Sequence, residues 1–74
     1  MGRRVVDFTV TVEGSLALIR PRTPAAEQWL EDNPEPGAYW WKGALVTNLR
    51  RGGLMVEAMT AAGLEGRKAG LPWV

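Results

Sequence analysis

The stretch that decides the fold is GSLALIRPRTPAAEQWL, residues 14–30. Glycine accepts the positive φ of a tight hairpin, so Glu13 and Gly14 read as a turn. The apolar run through Leu16, Ala17, Leu18 and Ile19 then reads as a strand over 15–20. Pro21 ends it, because proline has no amide hydrogen to give a ladder. Thr23-Pro24 opens a helix: the threonine hydroxyl caps a free N–H, and proline suits the first helical position. Ala26, Trp29 and Leu30 recur at helical spacing as the buried stripe, with Glu27, Gln28, Glu31 and Asp32 on the wet side. Pro34 disfavours helical geometry at Asn33, so the helix stops there and NPEPG (33–37) is a stiff loop.

On the N-terminal side, residues 4–12 alternate. Val6, Phe8, Val10 and Val12 fall on one face, and Asp7, Thr9, Thr11 and Glu13 on the other. Period two with β-branched residues predicts a half-buried strand. Leu16 and Leu18 are expected to face its core, which leaves Ala17 and Ile19 on the opposite side, with Ile19 an ordinary exposed apolar residue or else part of a contact patch. On the C-terminal side, residues 38–43 (AYWWKG) either open a third strand or form a loop with one tryptophan plugged into the core. Residues 44–47 read as a short central strand.

A second helix follows from 48 or 49 to 62, capped by Thr47 or Asn48, with Met55, Val56, Met59 and Ala62 on its apolar stripe. Gly52 and Gly53 weaken its first turn by about 1 kcal/mol each relative to alanine, which points to close approach of the backbone to the sheet or to a ligand. Gly63 is the expected helix terminator, with Leu64 as its hydrophobic contact. Residues 65–74 show no period and are expected to form an extended tail, with Trp73 able to dock back onto the domain. The sum is one α+β domain over 1–64 in the order β-β-α-β-α. Its expected sheet is three-stranded and of antiparallel type, order 2-1-3, with two helices packed on the face of Phe8 and Leu18. The Thr9/Thr11 face is left to solvent or to a partner.

A chain of 74 residues makes one small domain of marginal core. It has no cysteine and no histidine. That removes disulfides, thiolate and imidazole metal sites, histidine acid–base catalysis and the Ser-His or Cys-His nucleophiles. Carboxylate chemistry needs two acids facing each other across a cleft, and Glu27 and Glu31 instead sit one turn apart on a solvated helical face. The expectation is a non-enzyme with no cofactor and no metal. Nine basic against eight acidic residues are too balanced to draw nucleic acid or an acidic membrane by bulk field. The charges are segregated, however: Glu27, Glu31, Asp32 and Glu35 form an acidic block, and Lys42, Arg50 and Arg51 a basic one. No apolar run approaches the roughly 18 residues that span a bilayer, and MGRRVVDF lacks a signal peptide's apolar centre, so a cytoplasmic location is expected.

Residues 14–33, an aromatic run, WKGALV (41–46) and a helix ending AAGL (61–64) together resemble a family of small uncharacterised proteins encoded in proteobacterial chromosomes and mobile elements. The resemblance spans 14–64. Its motifs are a turn, a cap and core strands, so it implies a fold pattern and a bacterial or phage origin, with no catalytic signature. The family pattern sets acidic and aromatic residues around the arginine that opens the last helix; of Asn48-Leu49-Arg50-Arg51, only Arg50 fits.

Four tryptophans in so short a chain supply large contact area. The expected function is stoichiometric protein–protein binding, for example as a phage or mobile-element inhibitor of a host system, of the anti-defence or anti-CRISPR type. Tyr39, Trp40 and Trp41 are the expected anchors, since strand alternation sends one tryptophan inward and the other out. Lys42, Arg50 and Arg51 complete the partner-binding set. One alternative is nucleic-acid binding, with Arg50 and Arg51 holding a phosphate at the helix N-terminus, Lys42 and Arg20 at the same end, and Trp40 stacking a base. Another is a homo-oligomeric structural role, in which the open sheet face or an edge strand pairs with a second copy.

Overall fold

The computed structural model describes residues 5–68. Its elements are β1 (Phe8–Glu13), β2 (Leu16–Pro21), α1 (Pro24–Asp32), β3 (Tyr39–Trp41), β4 (Ala44–Asn48), α2 (Leu49–Ala61) and β5 (Gly66–Lys68). The strands form one five-stranded sheet in the order β3-β4-β2-β1-β5. Neighbours are antiparallel except β1 and β5, which run parallel. This corrects the expected three-stranded sheet of order 2-1-3 and the β-β-α-β-α succession. The α+β class with two helices on one face stands, but the strand at 44–48 joins β2 rather than β1. Two short strands, β3 and β5, extend the sheet at either edge.

Two hairpins set this topology. Gly14, with φ of +61, and Ser15 join Glu13 directly to Leu16. Lys42 (φ +49) and Gly43 (φ +82) join Trp41 to Ala44; both residues are left-handed, as a type I′ turn requires. That turn makes residues 39–48 a hairpin, and a hairpin laid against β2 leaves the other side of β1 free. β5 takes that side. The path into it is pinned by Asp7, whose amide and that of Phe8 both donate to the Glu65 carbonyl. Gly66 is needed there, because a Cβ at that position would lie 2.3 Å from the Phe8 ring.

The first hairpin also decides which side of β2 is buried. Two-residue turns pair even positions of β1 with odd positions of β2: Val10 faces Ile19, and Val12 faces Ala17. Ile19 is therefore in the core with Phe8, and both are fully buried. Leu18 lies on the far face and Leu16 is exposed, which reverses the expected assignment of β2. The core gathers Phe8, Ile19 and Leu45 from the sheet, Ala26 and Leu30 from α1, and Met55 and Met59 from α2. Burial of each large side chain contributes about 1.5–3 kcal/mol.

Local chemistry fixes both helices. The Thr23 hydroxyl oxygen accepts from the Ala26 N–H, and Pro24 follows at the first helical position. The Asn48 side chain accepts from the Arg51 N–H. At the other end of α2, Leu64 N–H donates to Met59 O and Gly63 N–H to Thr60 O, the paired bonds of a Schellman ending, with Gly63 at φ +93. A Cβ on Gly52 would sit 2.6 Å from that of Ala17, so this glycine lets α2 lie directly on β2. Gly66–Lys68, read from sequence as part of a tail, form the strand at the sheet edge. Trp73 lies outside the described residues.

Candidate functional site: the open sheet face and its aromatic edge

Residues paired across antiparallel strands share a side of the sheet, so the register sorts every strand residue. Both helices cover the face of Phe8, Ile19 and Leu45. Among the described residues, the opposite face carries no helix. Across it, Tyr39, Val46, Leu18 and Thr11 stand in one row, and Trp41 and Ala44 lead to Arg20, Thr9 and Arg67 in the next. Leu18, Ala44 and Val46 form a second buried cluster on this side. Tyr39 stands directly beside Val46, and Trp41 beside Ala44. The rings thus share a side with small apolar residues, and Tyr39 remains 54% and Trp41 47% exposed.

Trp40 points to the other side of the sheet, opposite Leu45, and is 52% exposed. The expectation that one of the two adjacent tryptophans is sealed in the core is not met. β3 lies at the sheet edge beyond β4, and the core drawn together by α1 and α2 takes Leu45 but not its neighbour Trp40.

The charge on this face is predominantly basic. Arg20 donates from Nη1 to the Lys42 carbonyl, which holds the β3–β4 turn against β2. The Lys42 ammonium lies 5.0 Å from the centroid of the Trp41 ring, a cation–π contact that fixes the ring's outer edge. Arg67 lies opposite Thr9 on the same side. Glu13 is the one acid among the described strand residues of the open face.

The six residues expected to bind a partner do not form one surface. Tyr39, Trp41 and Lys42 come together at one end of the open face. Trp40 is on β3 but turned to the helix side. Arg50 and Arg51 sit in the first turn of α2, on the covered side of the sheet. There the Arg51 guanidinium pairs with Glu35 at 2.8 Å, and its amide is taken by Asn48. Leu49 N–H donates to Ser15 O. Two of the amides that a phosphate cradle needs at this helix end are therefore engaged. The sequence reading set Arg20 and Lys42 at one end with Trp40, but it missed Arg67 on the side of the aromatic pair, and Leu18 and Val46 on that same side. The signal for the latter was parity across the first turn.

A second concave feature lies on the covered side. α2 rests on β2 and leaves an apolar groove of about 360 Å³ beside β1 and β5, lined by Val10, Val12, Leu49, Gly53 and Val56.

Away from these surfaces, the Asp7 carboxylate ties three segments. It accepts from the Glu65 N–H at 2.8 Å and from the Thr23 hydroxyl at 2.8 Å. The Glu65 amide, and then the Thr23 hydroxyl, hold its acid below the ordinary carboxylate range against a smaller opposing effect of burial. Among the described residues, no helix is long and apolar enough to cross a membrane. Comparison of the chain with known protein families, with curated proteins and with solved structures finds no match to any of them.

Proposed function

We propose that this chain is a non-enzymatic binding protein that engages another protein stoichiometrically through its open sheet face, with Tyr39 and Trp41 as anchors. One observation carries the reading: two neighbouring aromatic side chains stand about half exposed on a sheet face that no helix among the described residues covers, on the same side as a buried cluster of Leu18, Ala44 and Val46. Rigid aromatic groups with an apolar floor and a polar, basic rim have the make-up of an interface hot spot. Inhibition of a host system by a phage or mobile-element protein is the class of role that such a small binder fits.

A second reading has an observation of its own. Arg20, Lys42 and Arg67 share that side with the two rings, and aromatic platforms flanked by cations stack the bases of single strands. This moves the nucleic-acid alternative from Arg50 and Arg51 to the open face.

Both readings are tested by immobilising the chain and its variants and passing bacterial lysate, with and without nuclease, over them. A protein retained at stoichiometric level after nuclease treatment, kept by Arg50→Glu/Arg51→Glu and lost from Tyr39→Ala/Trp41→Ala, supports the first. Nuclease-sensitive retention that falls steeply with salt, and is lost from Arg20→Glu/Arg67→Glu, supports the second. A protein partner unaffected by the loss of both rings rules the first out.

A further inference from the structure

We propose that β3 pairs antiparallel with the β3 of a second copy, about a two-fold axis at Trp40. The backbone leaves the place for it. The Leu49 N–H bonds to Ser15 O, so the odd positions of β4 face β2 and its even positions, Ala44 and Val46, face β3. Their partners Trp41 and Tyr39 therefore turn their peptide groups inward. Trp40 turns its N–H and C=O outward, at the edge of the sheet. A strand edge with free peptide groups is a template for another strand, and residues 39–41 carry none of the lysine, proline or bulge devices that blunt such edges.

The edge is also self-complementary. With Trp40 opposite the partner's Trp40, each donates its N–H to the other's carbonyl. Tyr39 then stands opposite the partner's Trp41 on the open face, and Trp41 opposite the partner's Tyr39. Lys42 falls opposite the partner's Ala38, so no like charges meet across the axis. All six aromatic rings lose exposed surface, from starting exposures of 54%, 52% and 47% in each copy. Three residues of strand are few against the roughly 800 Å² per partner of a standard interface, so the rings must supply most of the contact. Dissociation on the order of micromolar concentration is expected. The second copy would contribute its own Tyr39 and Trp41 to one continuous open face, which doubles the anchor set.

Sedimentation velocity on the purified chain is the test. The expected mass at high concentration is twice the 8.1 kDa of one chain, falling to one chain on dilution. Trp40→Lys sets two ammonium groups opposite each other and is expected to sediment as a monomer with an unchanged far-UV spectrum. A wild-type monomer at all concentrations overturns the proposal, and so does a dimer that Trp40→Lys leaves intact. Should Trp40→Lys unfold, single cysteines decide, because the chain has none of its own. Paired Cα atoms about 5.5 Å apart are within disulfide reach, so Trp40→Cys is expected to form a covalent dimer on mild oxidation. Ala38→Cys places the two thiols about four residue steps, roughly 13 Å, apart and is expected not to. Equal cross-linking of both, or of neither, contradicts the pairing. The proposal does not rest on the open-face partner: a monomeric wild type sinks the pairing alone, and a lysate partner indifferent to Tyr39 and Trp41 sinks the other reading alone.

Discussion

Asp7 shows how a single carboxylate can join distant parts of the chain. Its two oxygens serve the N-cap residue of α1 and the residue that leads into β5. Its acid is depressed in the folded state. The sign follows: the contribution is present above the unfolded value and is lost as pH falls through the folded one. Wild type is therefore expected to be more stable than Asp7→Asn at neutral pH, with the gap closing below the ordinary value of 3.8, as urea titrations at stepped pH would show. A gap that does not change with pH would contradict the assignment. Thr23 shares the junction. Thr23→Val removes both the cap and a donor to Asp7, and a loss of about 1 kcal/mol or more is expected from the cap alone. Neither link between Asp7 and Glu65 is visible in the sequence, because the two lie 58 positions apart.

At the scale of elements, α2 offers two adjacent glycines with opposite roles. Gly52 faces Ala17 with no room for a Cβ, while Gly53 has open space around it. Gly53→Ala is expected to stabilise by about 0.5–1 kcal/mol through helix propensity. Gly52→Ala gains the same propensity but pushes α2 off β2, and a net loss of about 1–2 kcal/mol is expected. Denaturant midpoints of the two variants should move in opposite directions; a common direction would refute the packing of α2 on β2. Both helices were legible because their ends are local chemistry: Thr23-Pro24, Asn48 and Gly63 each act within a few residues. The strands were not equally legible. Lys42-Gly43 gives no strong hairpin signal, since lysine is a rare occupant of a left-handed position. β5 is three residues without period, and its strand state comes from pairing with β1 and from the space that Gly66 leaves for Phe8. The side of β2 that is buried was recoverable, since a two-residue turn fixes the parity of Val10 against Ile19.

For the whole molecule, the two sides of the sheet divide the labour. One side holds the core of Phe8, Ile19 and Leu45 under both helices, and supplies the stability. The other carries a thinner cluster of Leu18, Ala44 and Val46, with Tyr39 and Trp41 on the same side. The aromatic run stood out from composition alone as a candidate anchor. Arg67 on the same side did not, because the order β3-β4-β2-β1-β5 is what brings it there. The division has a thermodynamic consequence. Ile19→Ala is expected to cost about 2–5 kcal/mol and to unfold much of so small a domain, whereas Tyr39→Ala/Trp41→Ala should leave a folded chain without the proposed binding. The most direct measurement is a titration of the isotope-labelled chain with the protein it retains from nuclease-treated lysate, followed through backbone amide chemical shifts. The changes are expected to concentrate on Thr9, Thr11, Leu18, Tyr39, Trp41 and Val46, with the exposed faces of α1 and α2 unmoved. Changes confined to the helices, or to the groove beside α2, would contradict it.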